Sequence, residues 1–161
     1  MDETTRPGEG ADPRPTAPEF VGRIVVGVDG SKASRIALRW ACAEARARGT
    51  GVVAVAVWHL YPLAPPERVG ASPWWFTAEP EQATRTLLGE VVAEVAPDFP
   101  GVAVEQHVIS GHAAEELIRQ SETADLLVIG ATGTGGFAGM LLGSTGAAVL
   151  EHSLCTVVLA R

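Results

Sequence analysis

The chain alternates between short apolar runs and longer segments with helical spacing, and this alternation most strongly constrains its fold. Short apolar runs are typical of buried strands, whereas apolar residues at helical intervals are typical of helices that pack on one side. Strands that alternate with helices form parallel sheets, because each helix returns the chain to begin the next strand in the same direction. We therefore predict a doubly wound, five-stranded parallel α/β domain with helices on both faces of the sheet. The predicted strands are 24–28, 52–57, 102–108, 125–129 and 155–160; the predicted helices are one capped by Ser31 that ends near Arg48, then 80–95, 112–123 and 144–152.

A length of 161 residues suits a single domain. The first segment, 1–19, is polar, contains four prolines and shows no apolar periodicity, so it is predicted to be a disordered tail. The folded domain is predicted to span 20–161. Within it, the connection 58–78 is unusually long and holds the aromatic run Trp74–Phe76, which we expect to pack onto the domain itself.

The acidic balance of the chain argues against two classes of partner. The formal net charge is −7 and the pI is near 5.0, whereas surfaces that bind nucleic acid or anionic membranes are basic. No apolar run reaches the ~18 residues of a membrane span, and the N-terminus lacks the features of a signal peptide. Cys42 and Cys155 have no neighbouring partner in the sequence and are expected to be buried free thiols. We therefore predict a cytoplasmic protein without nucleic-acid or membrane partners.

A glycine-rich segment separates the fourth predicted strand from the last predicted helix. Six of the fourteen residues from Gly130 to Gly143 are glycine, and Ser144, the expected cap of the helix, follows at once. Glycine permits a positive φ and a close approach of the backbone to a ligand, and consecutive N–H groups form a concave donor surface. The helix start adds further N–H groups and a partial positive charge. This combination favours the binding of a phosphate group.

The residues alone leave other interpretations of this segment open. It contains no lysine, which excludes a phosphate loop of the G-x-x-x-x-G-K-[ST] type. Residues 133–138 match G-x-G-x-x-[GA], but a dinucleotide fingerprint follows the first strand and opens a helix at once. A flexible loop without a ligand also fits the composition. An FMN electron carrier is disfavoured, because the turn after the first strand is short.

Three predicted elements bring their ends to the same edge of the sheet. Asp29 follows the first strand, Val57 and Trp58 end the second, and the loop from Gly130 follows the fourth. Ligands of open parallel sheets bind beyond the carboxyl ends of the strands, where the strand order reverses. The sequence therefore predicts a nucleotide site at this edge. The four histidines lack the spacing of metal ligands, so no metal site is predicted.

Two stretches of the sequence resemble universal stress proteins. Near the start, residues 25–31 read V-V-G-V-D-G-S and residues 37–41 read A-L-R-W-A, like the opening of that family. Near the end, residues 130–144 match without a gap the spacing G-x2-G-x9-G-[ST] of its ATP-binding members. The resemblance covers about residues 20–161.

The resemblance implies a flavodoxin-like sheet of strand order 3-2-1-4-5, a homodimer and a bound ATP, with Mg²⁺ held mainly by the phosphates. It implies a regulatory module of a stress response that turns over little or no ATP and has no catalytic or metal-ligating residues. The implied ATP-binding residues are Gly27 and Asp29 beside the adenosine, Val57 with backbone contacts to the adenine, Gly130, Gly133 and Gly143 around the phosphates, and Ser144 and Thr145 as donors to the phosphates.

An ATP-hydrolysing or nucleotidyl-transferring enzyme of related topology is the alternative function. Such an enzyme needs a carboxylate cluster that binds metal or a catalytic base close to the phosphates. The segment 130–145 contains no acidic residue. We therefore expect a binding protein, or at most a slow ATPase.

The last predicted strand provides the expected surface of the homodimer. Residues Thr156–Ala160 are largely apolar, and as the last strand they are expected at a sheet edge. An exposed apolar edge invites pairing, and pairing the same strand of two chains about a two-fold axis covers both edges. A proline at Val158 would remove a backbone donor and is expected to break this pairing.

Overall fold

The computed structural model describes residues 22–59, 80–134 and 142–161. The expected tail at 1–19 and the aromatic run Trp74–Phe76 lie outside the described residues. The described elements are β1 (Ile24–Gly27), α1 (Lys32–Arg48), β2 (Val52–Trp58), α2 (Pro80–Val95) with a short 3-10 turn after it (Ala96–Asp98), β3 (Val104–Ser110), α3 (Ala113–Ser121), β4 (Leu126–Gly130), α4 (Ser144–His152) and β5 (Thr156–Ala160).

The five strands form one parallel sheet in the order β3-β2-β1-β4-β5. β1 lies at the centre, where Val25 pairs with Val53 of β2 on one side and with Leu127 of β4 on the other. β3 and β5 form the two edges. The predicted flavodoxin-like sheet of order 3-2-1-4-5 is confirmed.

Helices cover both faces of the sheet, as predicted, and each face has its own buried core. Ile24 and Val26 pack with residues of α1 and α2, whereas Val25 packs with Leu117 of α3 and Val149 of α4. Successive side chains of a strand point to opposite faces, so a strand buried on both sides is apolar at every position. This explains the continuous apolar runs of the sequence. None of the helices within the described ranges is long and apolar enough to cross a membrane.

Local signals set the ends of the first helix as the sequence predicts. Ser31 caps α1, because its Oγ accepts a hydrogen bond from the N–H of Ser34 at 3.1 Å. Gly49 ends the helix in the left-handed conformation, with φ of 69°.

Several other predicted boundaries shift by one or two residues, and α4 has the predicted bounds but a different cap. β3 begins at Val104 rather than at residue 102, because the chain turns at Gly101, which has φ of 88°. The N-cap of α4 is Gly143, so Ser144 is the first helical residue and not the cap. The hydroxyl of Ser144 is therefore not used to close the end of its own helix.

The two thiols lie at different depths. Cys42 of α1 is fully buried, whereas Cys155, directly before β5, is half-buried, and both are free. The prediction of free thiols is confirmed, but the prediction that both are buried is wrong for Cys155. Burial raises the pKa of both thiols above the ordinary value.

The open edge at β5 is defined by which backbone groups point away from β4. The carbonyl of Ala160 accepts a hydrogen bond from the N–H of Ala131 at 2.8 Å, so the backbone groups of Ala160 point toward β4. Along a strand these groups alternate in direction from one residue to the next, like the side chains. The backbone N–H and C=O groups of Val158 therefore also point toward β4, whereas those of Val157 and Leu159 point toward the open edge. A proline at Val158 would break the ladder within the chain, so the sequence prediction chose the wrong residue for testing the edge.

Candidate functional site

An open cleft of about 620 Å³ crosses the carboxyl ends of the strands, at the point where the strand order reverses. The structure brings all of the residues predicted for the nucleotide site to the lining of this one cleft. They are Gly27, Asp29, Val57, Gly130, Gly133, Gly143, Ser144 and Thr145.

Asp29 joins the turn after β1 to the glycine-rich loop after β4. Its Oδ1 accepts a hydrogen bond from the N–H of Ser31 at 2.9 Å, and its Oδ2 accepts one from the N–H of Thr134 at 3.0 Å. Partial burial acts to raise the pKa of Asp29, but the hydrogen bonds from Ser31 and Thr134 outweigh it and hold the pKa below its ordinary value. The ionised carboxylate is therefore the form that fixes the loop.

Replacing Asp29 by asparagine is expected to lower the free energy of unfolding by about 1 kcal/mol at pH 7, because hydrogen bonds to a charged acceptor are lost. The folded-state pKa is lowered, so this contribution is fully present above the ordinary value of 3.8 and is lost progressively as the pH falls from there through the lowered folded-state pKa. Urea unfolding of both proteins at pH 7 and pH 3 measures the difference. If the two proteins differ equally at both pH values, the carboxylate does not hold the loop.

Two glycines of the loop are required by contacts within the protein. A Cβ atom on Gly130 would lie 2.8 Å from the carbonyl carbon and from the Cβ of Ala33, in the first turn of α1. A Cβ atom on Gly133 would lie 2.7 Å from Oδ2 of Asp29. Gly130 thus lets β4 pack closely on α1, and Gly133 lets the loop lie against the Asp29 carboxylate.

A positive φ is not the reason for these glycines. Gly143 has φ of −79°, and neither Gly130 nor Gly133 adopts the left-handed region. The expectation that the motif glycines provide positive φ is therefore wrong for these three positions. The close contacts of Gly130 and Gly133 are to Ala33 and Asp29 within the protein, and close approach to a ligand stays a prediction. The left-handed glycines of the described residues are Gly30, Gly49, Gly101 and Gly111.

The N-terminus of α4 forms one end of the cleft. Its N-cap, Gly143, has no side chain that could cap the first N–H groups. Ser144 and Thr145 line the cleft from the first helical turn. The first N–H groups of a helix have no partner within the helix and carry a partial positive charge. This end of the cleft therefore offers backbone and hydroxyl donors to an anion.

Two histidines lie at the opposite end of the cleft and are absent from the sequence prediction of the site. His59 follows β2 and His112 precedes α3; their ring centroids lie 4.4 Å apart, with 39° between the ring planes. A hydrogen bond of 2.9 Å from the N–H of Gly111 to the carbonyl of Trp58 holds the two strand ends together. The position of each histidine just beyond a strand is the sequence signal that identifies them.

The charges of the cleft are few. Among the described residues that line it, Asp29 is the only acidic side chain. Within 22–59, 80–134 and 142–161, no three His, Cys, Asp or Glu side chains come together in a group that could hold a metal ion. Within this described lining, only the α4 end of the cleft, with its backbone and hydroxyl donors, suits the binding of an anion.

A model of the universal stress protein family matches residues 21–161. The chain belongs to this family. It is 36% identical over 138 residues to a universal stress protein of Mycolicibacterium smegmatis, and the aligned region covers 86% of this chain and 45% of that protein. It is also 36% identical over 151 residues to one from Mycobacterium tuberculosis, with coverage of 93% and 47%. The chain thus spans about half the length of these relatives.

A solved universal stress protein structure has the same fold. A universal stress protein in complex with cAMP is 25% identical, with a TM-score of 0.62 and coverage of 87% of this chain and 96% of that one. In contrast to the two longer relatives, this family member is covered by the match over nearly the whole of its own length.

Proposed function

We propose that this universal stress protein binds ATP in the cleft and acts as a regulatory module of a stress response. The observation that carries the proposal is the convergence, on one cleft, of the residues that the family's ATP-binding pattern implies. The family member of known structure that is 25% identical was solved with cAMP, which supports an adenine nucleotide as the class of ligand.

The chemistry of the cleft fits the phosphates of ATP at its β4 end. Ser144 and Thr145 provide hydroxyl donors, and the start of α4 adds backbone N–H groups. Gly143, directly before these donors, lines the cleft and carries no side chain. The volume of about 620 Å³ lies within the usual range of small-molecule sites, roughly 300–1,000 Å³.

We further propose that Mg²⁺ accompanies ATP, is held mainly by the phosphates, and supports little or no hydrolysis. Both oxygen atoms of Asp29, the single carboxylate of the described lining, already accept hydrogen bonds from Ser31 and Thr134. A general base must be free to accept a proton from the attacking water. The alternative, an ATP-hydrolysing or nucleotidyl-transferring enzyme, would be supported by a turnover of ~1–10³ s⁻¹ measured with purified protein and Mg²⁺.

Replacing Gly143 by valine is expected to weaken ATP binding at least about tenfold, because the side chain enters the space that the phosphates would use. The fold is expected to persist, since a Cβ atom at this position meets its nearest neighbour, the backbone nitrogen of Gly133, at 3.7 Å. The measurement is isothermal titration of ATP with Mg²⁺.

Gly89→Val is the matched control. A Cβ atom on Gly89 meets its nearest neighbour at a similar 3.8 Å, but this residue lies on α2 and does not line the cleft. If Gly143→Val binds ATP as tightly as Gly89→Val does, the loop does not hold the phosphates.

We also propose that the protein is a cytoplasmic homodimer paired through β5. The outward backbone groups of Val157 and Leu159 offer hydrogen bonds to a second strand, and the nearby Leu154 side chain is 73% exposed. Two free thiols support a reducing compartment.

A further inference from the structure

The two ends of the cleft differ in chemistry. The β4 end carries hydroxyl and backbone donors, whereas the β2–β3 end carries the rings of His59 and His112 together with Val57 of β2. Three strand spacings separate β4 from β3, or about 14 Å. A nucleotide whose phosphates lie at the β4 end therefore directs its base toward the two rings.

The backbone places the two histidines side by side, and the side chain of His112 is not used to cap its helix. His112 is the N-cap of α3, but its side chain makes no capping hydrogen bond, although N-cap side chains commonly accept one. Its ring instead lies against that of His59. Trp58 and Ser110 pair in register at the ends of β2 and β3, which holds the residues that follow them side by side.

We propose that His59 and His112 form a ring platform that binds the base of the nucleotide and favours a purine over a pyrimidine. This inference rests on the proposed function of the cleft. Among the described residues that line the cleft, these two side chains are the only rings. Flat rings hold bases by stacking, and a purine offers the larger face for such contact.

His112→Ala is expected to weaken ATP binding about tenfold while UTP and inorganic triphosphate change less than about twofold. His112→Phe keeps a flat ring and is expected to restore ATP affinity to within about threefold of wild type. His107→Ala is the matched control, because His107 lies on β3, contacts Glu105 at 3.0 Å and does not line the cleft. Isothermal titration measures the affinities, and circular dichroism checks that each variant is folded.

The outcomes separate this inference from the proposed function. If wild type binds ATP and both His59→Ala and His112→Ala leave the affinity unchanged, the platform is wrong and the ATP site stands. If His112→Ala weakens ATP and triphosphate equally, or if His112→Phe fails to restore ATP binding, the role of the ring is structural and the platform is again wrong. A wild-type protein that binds no ATP contradicts the proposed function and the platform together.

Discussion

Replacing Gly130 by alanine is expected to lower the free energy of unfolding by about 2 kcal/mol, because the added methyl group overpacks the contact between β4 and α1. The new Cβ atom would lie 2.8 Å from two atoms of Ala33 and 2.9 Å from the backbone nitrogen of Ser34. Since two of these three atoms are helix backbone, no side-chain rotation relieves the overlap, and the strand and the helix must separate. Urea unfolding measures the effect.

Gly89→Ala provides the control in which the same methyl group is added without overlap. Gly89 lies within α2, and a Cβ atom there meets only Oε1 of Gln106, at 3.8 Å. Alanine is the better helix former, so this variant is expected to be more stable than wild type by up to about 1 kcal/mol. A Gly130→Ala protein that is as stable as wild type would show that β4 does not depend on its close approach to α1.

Replacing Val157 by proline is expected to convert the proposed homodimer into a folded monomer. The N–H of Val157 points away from β4, so proline removes a donor from the open edge while the ladder between β4 and β5 keeps its hydrogen bonds. Light scattering coupled to size-exclusion chromatography measures the mass in solution, and circular dichroism reports whether the monomer is folded.

Two further variants distinguish the loss of the edge donor from the loss of the side chain and from damage to the pairing of β4 with β5. Val157→Ala truncates the same side chain but keeps the N–H, so it is expected to remain a dimer. Val158→Pro removes a donor that points toward β4, so it is expected to destabilise the fold itself. A Val157→Pro protein that stays dimeric, or a wild type that is monomeric at micromolar concentrations, would rule out pairing through β5.

The sequence contains most of the information that determines the elements of the fold. Strands buried on both faces must be apolar at every position, so β1, β2 and β4 are recognisable as continuous runs. Ser31 and Gly49 mark the ends of α1 by local hydrogen bonding and by backbone conformation, which depend on neighbouring residues alone. The order of the strands is different, because it depends on which crossovers the chain takes, and here it was predicted from the family resemblance rather than from periodicity.

The candidate site is predictable in position but not in its contacts. The residues that line the cleft follow strand ends, and the ends of parallel strands meet at one edge. The bond between Asp29 and Thr134 joins residues 105 positions apart, and no local pattern encodes it. The packing of Gly130 on Ala33 and the contact between the rings of His59 and His112 likewise depend on how distant elements meet. The sequence pattern therefore predicts a positive φ at Gly130 and Gly133, whereas a side chain at these positions is excluded because it would overlap Ala33 or Asp29.

Because the two thiols are buried to different depths, their rates of alkylation can report local opening of the domain. Cys42 is sealed between α1 and the sheet with no exposed surface, so a thiol reagent reaches it only when that layer opens. Cys155, half-buried at the entrance to β5, is open to the reagent in the closed protein. A single time course of alkylation is therefore expected to show two rates. The slow rate, at Cys42, reports local opening of the core, and the fast rate, at Cys155, reports access to the edge of the sheet.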